Sequence, residues 1–428
     1  MLSRADADLV ARDAAVPGLA TLLDPDAFLE AIAAASGRAP FERAIPRYLR
    51  YKAGTNCLVA YRLLGPGGEA EVHAKAHGRD APEKVDKSGE RSGVPGPLGW
   101  SRLALPDRGI VVAAFPNDDK LPVLERLGDR DARRRLLARV LPDREACWDG
   151  ALETLRYKPE RRYVARLTAS DGARVALKFT SEEDFAGTSQ NAKRYRSEGA
   201  LRLPERLGAL ASHSVLALEW IDGEPLDAAI AAGRAGACAQ VGEALAGIHA
   251  RRGRKLPPRA PEALAALAAA QADALARLWP PHAGRAAALA RRIAAALPPA
   301  DDARMVHGDF YDRQVLLCAD RVAILDLDRA ACASPLLDLG SFLARLLRQR
   351  AEGELSEAHG SEAASALLDG WAAARGAPPA AGLAACTALA LLQLAVEPFR
   401  EHAPEWPERI GALLGCAEAA LAGAALPS

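Results

Sequence analysis

Apolar and polar residues alternate in short runs through the first half of the chain and recur at helical spacing through the second. Residues 48–52, 57–64 and 69–76 read as three strands separated by the turn Ala53-Gly54-Thr55-Asn56 and by a Gly-Pro-Gly-Gly segment. The arrangement returns over residues 152–179. There Leu155-Arg156-Tyr157-Lys158 restates Leu49-Arg50-Tyr51-Lys52, and Val164-Ala165-Arg166-Leu167 parallels Ala60-Tyr61-Arg62-Leu63. The third strand holds Lys178 where the first copy holds Lys75. Self-similarity of this kind predicts a duplicated three-strand unit.

Around these strands the pattern is mixed. Residues 1 to 45 read as a helical lead-in, with Asp24-Pro25-Asp26 capping a helix. Residues 78–99, rich in Gly, Pro, Ser and charge, predict a mobile loop; 110–115 predict a strand and 120–139 a helix or two. Residues 191–201 read as a helix with Glu198 in its body, followed by an apolar strand over 214–220 and a linker over 221–226. Alanine-rich helices are predicted over 240–251, 261–279, 286–297, 334–350, 361–375, 380–400 and 407–424. A strand-rich half joined to a helix-rich half gives an α+β, two-lobed expectation, with domains at 1–145, 146–222 and 223–428.

Composition narrows the function classes. Lysine plus arginine and aspartate plus glutamate number 55 each, so the formal net charge is zero and neither a nucleic-acid nor an anionic-membrane partner is expected. The run Arg133-Arg134-Arg135 reads as a solvated helix face. Seven scattered cysteines without a Cys-x-x-Cys pair argue against a disulfide framework or zinc site and suggest a reducing, cytoplasmic compartment. Met1-Leu2-Ser3-Arg4 leads into Ala-Asp-Ala-Asp, so no signal peptide is expected. The most apolar run, residues 380–396, carries Gly382, Cys386, Thr387 and Gln393 and reads as a buried helix.

Chemistry concentrates in residues 306–329. His307-Gly308-Asp309 precedes Gln314 by a fixed interval. Strands at 315–317 and 322–325 flank a turn at Ala319-Asp320, and the second strand ends in Asp326 and Asp328. Carboxylates gathered at one edge of a hairpin call for a cation.

The His-Gly-Asp-x-x-x-x-Gln loop with the Ile-Leu-Asp strand end resembles the aminoglycoside phosphotransferase and choline kinase superfamily, over about residues 150 to 425. The resemblance implies a bilobal protein-kinase-like fold: an antiparallel-sheet N-lobe, a helical C-lobe and an N-terminal cap repeating the N-lobe strand unit. It implies ATP and Mg²⁺ as cofactors and a small-molecule hydroxyl acceptor, sugar or aminosugar-like ahead of an amino alcohol. Asp309 would be the catalytic carboxylate and Asp326 the principal metal ligand. Gln314 stands where the family usually has Asn, a substitution found in maltokinase-like members that also carry a cap. Asp328 is either a second metal contact or a solvated carboxylate. Lys178 matches the phosphate-contacting lysine, with Glu198 to hold it. Glu219 and Ile221 occupy the linker where adenine would meet the backbone, with Trp220 between them. Lys75, without an evident partner, reads as structural. The turn Lys158-Pro159-Glu160-Arg161-Arg162 stands at the phosphate-cover position without a glycine and reads as a plain surface turn. His307 reads as a packed brace, Asp338 as a loop brace through backbone amides, and His249 as a packing residue. Glu397, Arg400, Glu401 and Trp406 form a polar and aromatic cluster that fits either an acceptor pocket or surface packing. The alternative to an enzyme is a nucleotide-binding regulatory pseudokinase, favoured by Gln314 and the glycine-free turn.

Overall fold

The computed structural model describes residues 1–37, 41–66, 68–96, 98–253 and 255–424; residues 38–40 of the lead-in, 67 of the Gly-Pro-Gly-Gly turn and 97 of the loop lie outside them. The chain forms two compact units. The first holds residues 1–186, 207–218 and 397–406; the second holds 187–206, 219–396 and 407 onward. Residues 1–145 and most of 146–222, separate in the sequence reading, thus share one unit.

In the first unit the helix α1 (Pro25–Ser36) starts where expected. The Asp24 carboxylate accepts from the amides of Asp26 and Ala27 at 3.1 and 3.3 Å, satisfying donors that have no partner inside the helix. Strands β1 (Arg43–Lys52), β2 (Asn56–Gly65) and β3 (Gly68–His77) follow as two hairpins. The predicted loop over 78–99 contains a helix, α2 (Glu83–Gly89), which buries Val85. One buried apolar residue per two turns is too sparse a pattern to have announced it. Strands β4 (Arg102–Leu105) and β5 (Ile110–Ala114) complete a sheet of order β1-β2-β3-β5-β4.

The second sheet repeats this plan. Strands β6 (Ala151–Lys158), β7 (Arg162–Thr168) and β8 (Arg174–Thr180) lead into helix α3 (Glu182–Arg194), then β9 (Arg206–Leu210) and β10 (Val215–Glu219), in the order β6-β7-β8-β10-β9. The duplication therefore covers five strands and the helix after the third. It holds at the level of register: Lys52 faces Asn56 and Lys158 faces Arg162, while Lys75 faces Leu58 and Lys178 faces Val164. Lys75 and Lys178 are thus counterparts. The match is offset where each first strand carries its bulge, which in β1 falls between Pro46 and Tyr48. In β6 a bulge falls between Thr154 and Arg156, and the residue it displaces, Leu155, is 45% exposed, whereas Leu49 is fully buried. Because the two bulges sit at different positions, Leu49 stays in register while Leu155 is the extra residue, so the repeated Leu has opposite fates.

The second unit is mainly helical: α4 (Cys238–His249), α5 (Pro261–Leu278) and α6 (Ala283–Ala296) precede the hairpin β11 (Val315–Leu317) and β12 (Val322–Ile324). Helices α7 (Leu336–Ala351), α8 (Glu357–Arg375) and α9 (Ala380–Leu394) come after it. The segment Ala380–Arg400 has the length and composition to cross a membrane, yet 72% of its apolar window is buried in the protein. Leu383 and Cys386 of α9 join Leu339, Phe342 and Leu343 of α7 in one core, which is what consumes the apolar surface. The buried-helix expectation for this run agrees with that packing.

Candidate active site

The loop after Val306 is held from below by one buried carboxylate. Asp338, in the first turn of α7, accepts the backbone N–H of His307 at 2.6 Å through Oδ2 and that of Gly308 at 2.8 Å through Oδ1. His249 Nε2 lies 3.0 Å from the same Oδ2, and Trp371 donates its indole N–H to His249 Nδ1 at 2.9 Å. Since Trp can only donate, Nδ1 accepts and the proton of His249 sits on Nε2, toward Asp338. Burial would raise the Asp338 pKa, but the His249 hydrogen bond and the Gly308 amide outweigh it and hold the carboxyl below its usual range.

His307 is fully buried; its Nε2 meets the Leu325 carbonyl at 2.7 Å, and its Nδ1 accepts the Asp309 amide at 3.3 Å. It ties the loop to the end of β12. Gly308 has φ 81°, and a Cβ there would fall on the Arg329 carbonyl, so glycine is required on both counts. Arg259 closes the loop from outside, donating to the carbonyls of Gly308 at 3.2 Å and Arg329 at 3.0 Å. With the backbone so fixed, Asp309 is half-buried, and among the described residues no hydrogen bond or ion pair engages its carboxylate.

The hairpin pairs Val315 with Ile324 and Leu317 with Val322, as its pattern predicts. It carries the chain back so that Gln314 Nε2 lies 3.5 Å from Asp326 Oδ2, with Gln314 buried and Asp326 half-buried. Asp326 takes the left-handed conformation, φ 66° and ψ 56°, which a β-substituted residue holds only when its surroundings impose it. Among the described residues no cluster of three or more His, Cys, Asp or Glu side chains gathers as a self-sufficient metal site. One carboxylate and one amide fit a Mg²⁺ that keeps several waters and takes its other ligands from phosphates. The amide must then turn its oxygen, in place of its NH₂, toward the ion. Asp328 is half-buried in the single helical turn that follows, Leu327–Arg329.

In the first unit Lys178 is buried, 7% exposed, in the middle of β8. The sequence reading of Glu198 is corrected. The helix after β8 starts at Glu182 and ends at Arg194, so Glu198 lies beyond it, in a surface turn, and its 81% exposed carboxylate pairs with Arg251 at 3.4 Å. The acids of α3, Glu182, Glu183 and Asp184, all stand in its first turn, which suits the positive helix end. Glu219 ends β10; its carboxylate accepts from Arg202 at 2.6 Å and its N–H donates to Glu205 at 2.8 Å, so this amide is committed within the protein. Ile221 is buried, and the Trp220 indole donates to Asp222 at 3.2 Å.

Trp406 is buried: it is 2% exposed, donates to Asp6 at 3.1 Å and packs edge-on to Phe399. Of the two readings of the 397–406 cluster, packing is the one realised, with Glu397 and Arg400 paired at 2.7 Å.

Two positioning residues escaped the sequence. Asn191 of α3, 7% exposed, donates to the Leu327 carbonyl at 2.9 Å, next to Asp326. Asp312, 1% exposed, accepts from Gln349 of α7 at 2.7 Å, and burial pushes its carboxyl up. The only signal for either was a polar residue on an otherwise packed face, and for Asn191 the misplaced helix boundary concealed even that.

Comparison with known proteins fits this geometry. Residues 155–377, just over half of the chain, match the model of the phosphotransferase enzyme family. A search of curated proteins finds no match. Among solved structures, a macrolide 2'-phosphotransferase from Brachybacterium faecium is similar at 19% identity and TM-score 0.43, covering 69% of this chain and 98% of that one. A choline/ethanolamine kinase family protein from Mesorhizobium loti gives 20% identity and TM-score 0.47 over 69% and 97%. A choline kinase from Cryptosporidium parvum gives 10% and 0.48 over 68% and 95%. The match across the second sheet, the Asp309 loop and the helices that brace it makes the chain a member of the phosphotransferase enzyme family.

Proposed function

We propose that the chain transfers the γ-phosphoryl group of ATP, with Mg²⁺, to a hydroxyl of a sugar or aminosugar-like acceptor in the cytoplasm. The observation that carries the reading is Asp309: its loop is fixed by Asp338, His307 and Arg259, while no hydrogen bond or ion pair from a described residue engages its carboxylate. A carboxylate so held is preorganised to orient an acceptor hydroxyl and take its proton. Asp326 and Gln314 would hold the magnesium ion, which when bound neutralises charge on the phosphates. Lys178, buried in β8, would contact the phosphates, and the backbone of residues 219–221 would receive adenine. Arg202 and Glu205, by engaging Glu219, keep that stretch extended. The acceptor class rests on Gln314 and on the N-terminal cap, both shared with maltokinase-like members of the family.

The test is Mg²⁺-dependent ATP consumption across a panel of sugars, aminosugars and amino alcohols, with Asp309→Asn as control. The expected result is turnover of one acceptor class and a loss of about 10² to 10⁴ in kcat for Asp309→Asn, the range of a positioned base. Unimpaired turnover in that variant would overturn the assignment. Nucleotide binding without turnover of any acceptor would favour the pseudokinase reading.

A further inference from the structure

The turn between β6 and β7 is not the plain surface turn its sequence suggests. Its counterpart in the first sheet carries Gly54 at φ 68°; here Glu160 adopts the same left-handed conformation, φ 59°, with a side chain. A residue with a Cβ pays roughly 1 to 2 kcal/mol for that backbone, so something holds it there. The Glu160 carboxylate, 9% exposed, is bound by Arg50 and by Lys75 at 2.6 Å, both from the first sheet. Burial would raise its pKa, but the Lys75 and Arg50 charges outweigh burial and hold it below the usual value.

The two turns share a second device. In the first sheet one carboxylate, Asp13, accepts from the Tyr51 hydroxyl at 2.6 Å and the Gly54 amide at 2.8 Å. In the second, Asp118 accepts from the Tyr157 hydroxyl at 2.9 Å and the Glu160 amide at 2.8 Å. Asp118 is fully buried, and its other oxygen takes the amides of Lys120 and Leu121. The turn amide that a glycine-rich loop would offer to phosphate is therefore already occupied, and two acids stand beside it.

From this arrangement we infer that Lys75, the first sheet's counterpart of Lys178, is with Arg50 a positioning residue for the nucleotide: together they neutralise Glu160 so that the β6–β7 turn can face phosphate. The inference rests on the proposed ATP-dependent reaction, in which this turn precedes the phosphate-contacting strand. Lys75 itself touches no substrate. It acts through Glu160, converting an anionic turn into a compensated one.

The sign of the effect separates this role from packing. Lys75→Met leaves the Glu160 charge with one partner, and the KM for MgATP should rise about five- to twentyfold, more than kcat falls, the effect of losing one positive charge at roughly 10 Å in an effective dielectric near 20. Glu160→Gln removes that charge and should leave KM at or below the wild-type value, and the double variant should recover most of the loss. A merely structural pair would raise KM in Glu160→Gln as well as in Lys75→Met, and that result overturns the proposal, as does a Lys75→Met enzyme with unchanged KM. Lys75→Arg, which keeps charge, serves where Lys75→Met folds poorly and should restore KM; failure to do so in a folded protein also counts against the idea. A fluorescent ATP analogue titrated into wild-type protein first distinguishes the two levels: absence of binding sinks the ATP reading as a whole, whereas binding insensitive to these substitutions sinks only the role of Lys75.

Discussion

Replacing Asp338 by Asn keeps the shape of the side chain and removes its charge and one of its acceptors. The wild-type carboxylate satisfies three buried donors, the amides of His307 and Gly308 and the imidazole of His249. An asparagine can place its single oxygen toward His307 and His249, but its NH₂ group then confronts the Gly308 amide. One charge-assisted hydrogen bond is lost, at about 1.5 to 3 kcal/mol, and a buried N–H is left unsatisfied, at about 1 to 3 kcal/mol. The sum, roughly 2.5 to 6 kcal/mol, is a large part of the roughly 5 to 15 kcal/mol of a typical domain but below the middle of that range, so the protein should fold. Urea unfolding followed by tryptophan fluorescence should show the lower midpoint, and kcat should fall by about 10² as the loop bearing Asp309 loses its register by an ångström or so. The pH dependence provides a second readout. The folded-state pKa of Asp338 is depressed, so its contribution is present above the unfolded value near 3.9 and is lost as pH falls through the folded one. The wild type should therefore lose stability below about pH 4 more steeply than Asp338→Asn. An Asn variant within about 1 kcal/mol of wild type, with normal kcat, would refute the bracing role.

Other substitutions probe the same loop and its supports. Gly308→Ala meets both a left-handed backbone and the Arg329 carbonyl, and should cost about 2 to 4 kcal/mol in urea unfolding with turnover reduced at least tenfold. Asn191→Ala leaves the Leu327 carbonyl without its donor, and should cost about 1 to 2 kcal/mol while raising the Mg²⁺ concentration needed for half-maximal turnover. A Mg²⁺ titration unchanged from wild type would confine Asn191 to stability. Tyr157→Phe removes one of four donors to Asp118, and a loss of about 1 kcal/mol in thermal or urea unfolding is expected.

Much of this was legible because strand pairs and catalytic loops impose local patterns. The Leu-Arg-Tyr-Lys repeat disclosed the duplicated sheet, and alternation on both sides of Ala319-Asp320 disclosed the hairpin that brings Gln314 to Asp326. What stayed hidden depended on distant partners. Glu198 was assigned by its interval from Lys178, but intervals do not fix where a helix stops, and α3 ends four residues earlier. The role of Glu160 could not be read from its own turn, because its partners Arg50 and Lys75 lie 110 and 85 residues away. For the same reason Lys75 looked partnerless. The bulge at Leu155 shows the limit from the other side: identical tetrapeptides can present opposite faces when the bulges of the two strands fall at different positions.

The placement of Glu160 has a consequence for biosynthesis. Chains emerge from the ribosome N-terminus first and domains fold as units, so the first sheet, complete at Ala114, and Asp118 just after it are available before residue 160 is made. The second hairpin is then born onto a ready template that supplies both the carboxylate for its amide and the cations for its carboxylate. A circularly permuted chain beginning at β6 would reverse that order, and its newborn turn would have to wait, strained and charged, for the sheet that relieves it.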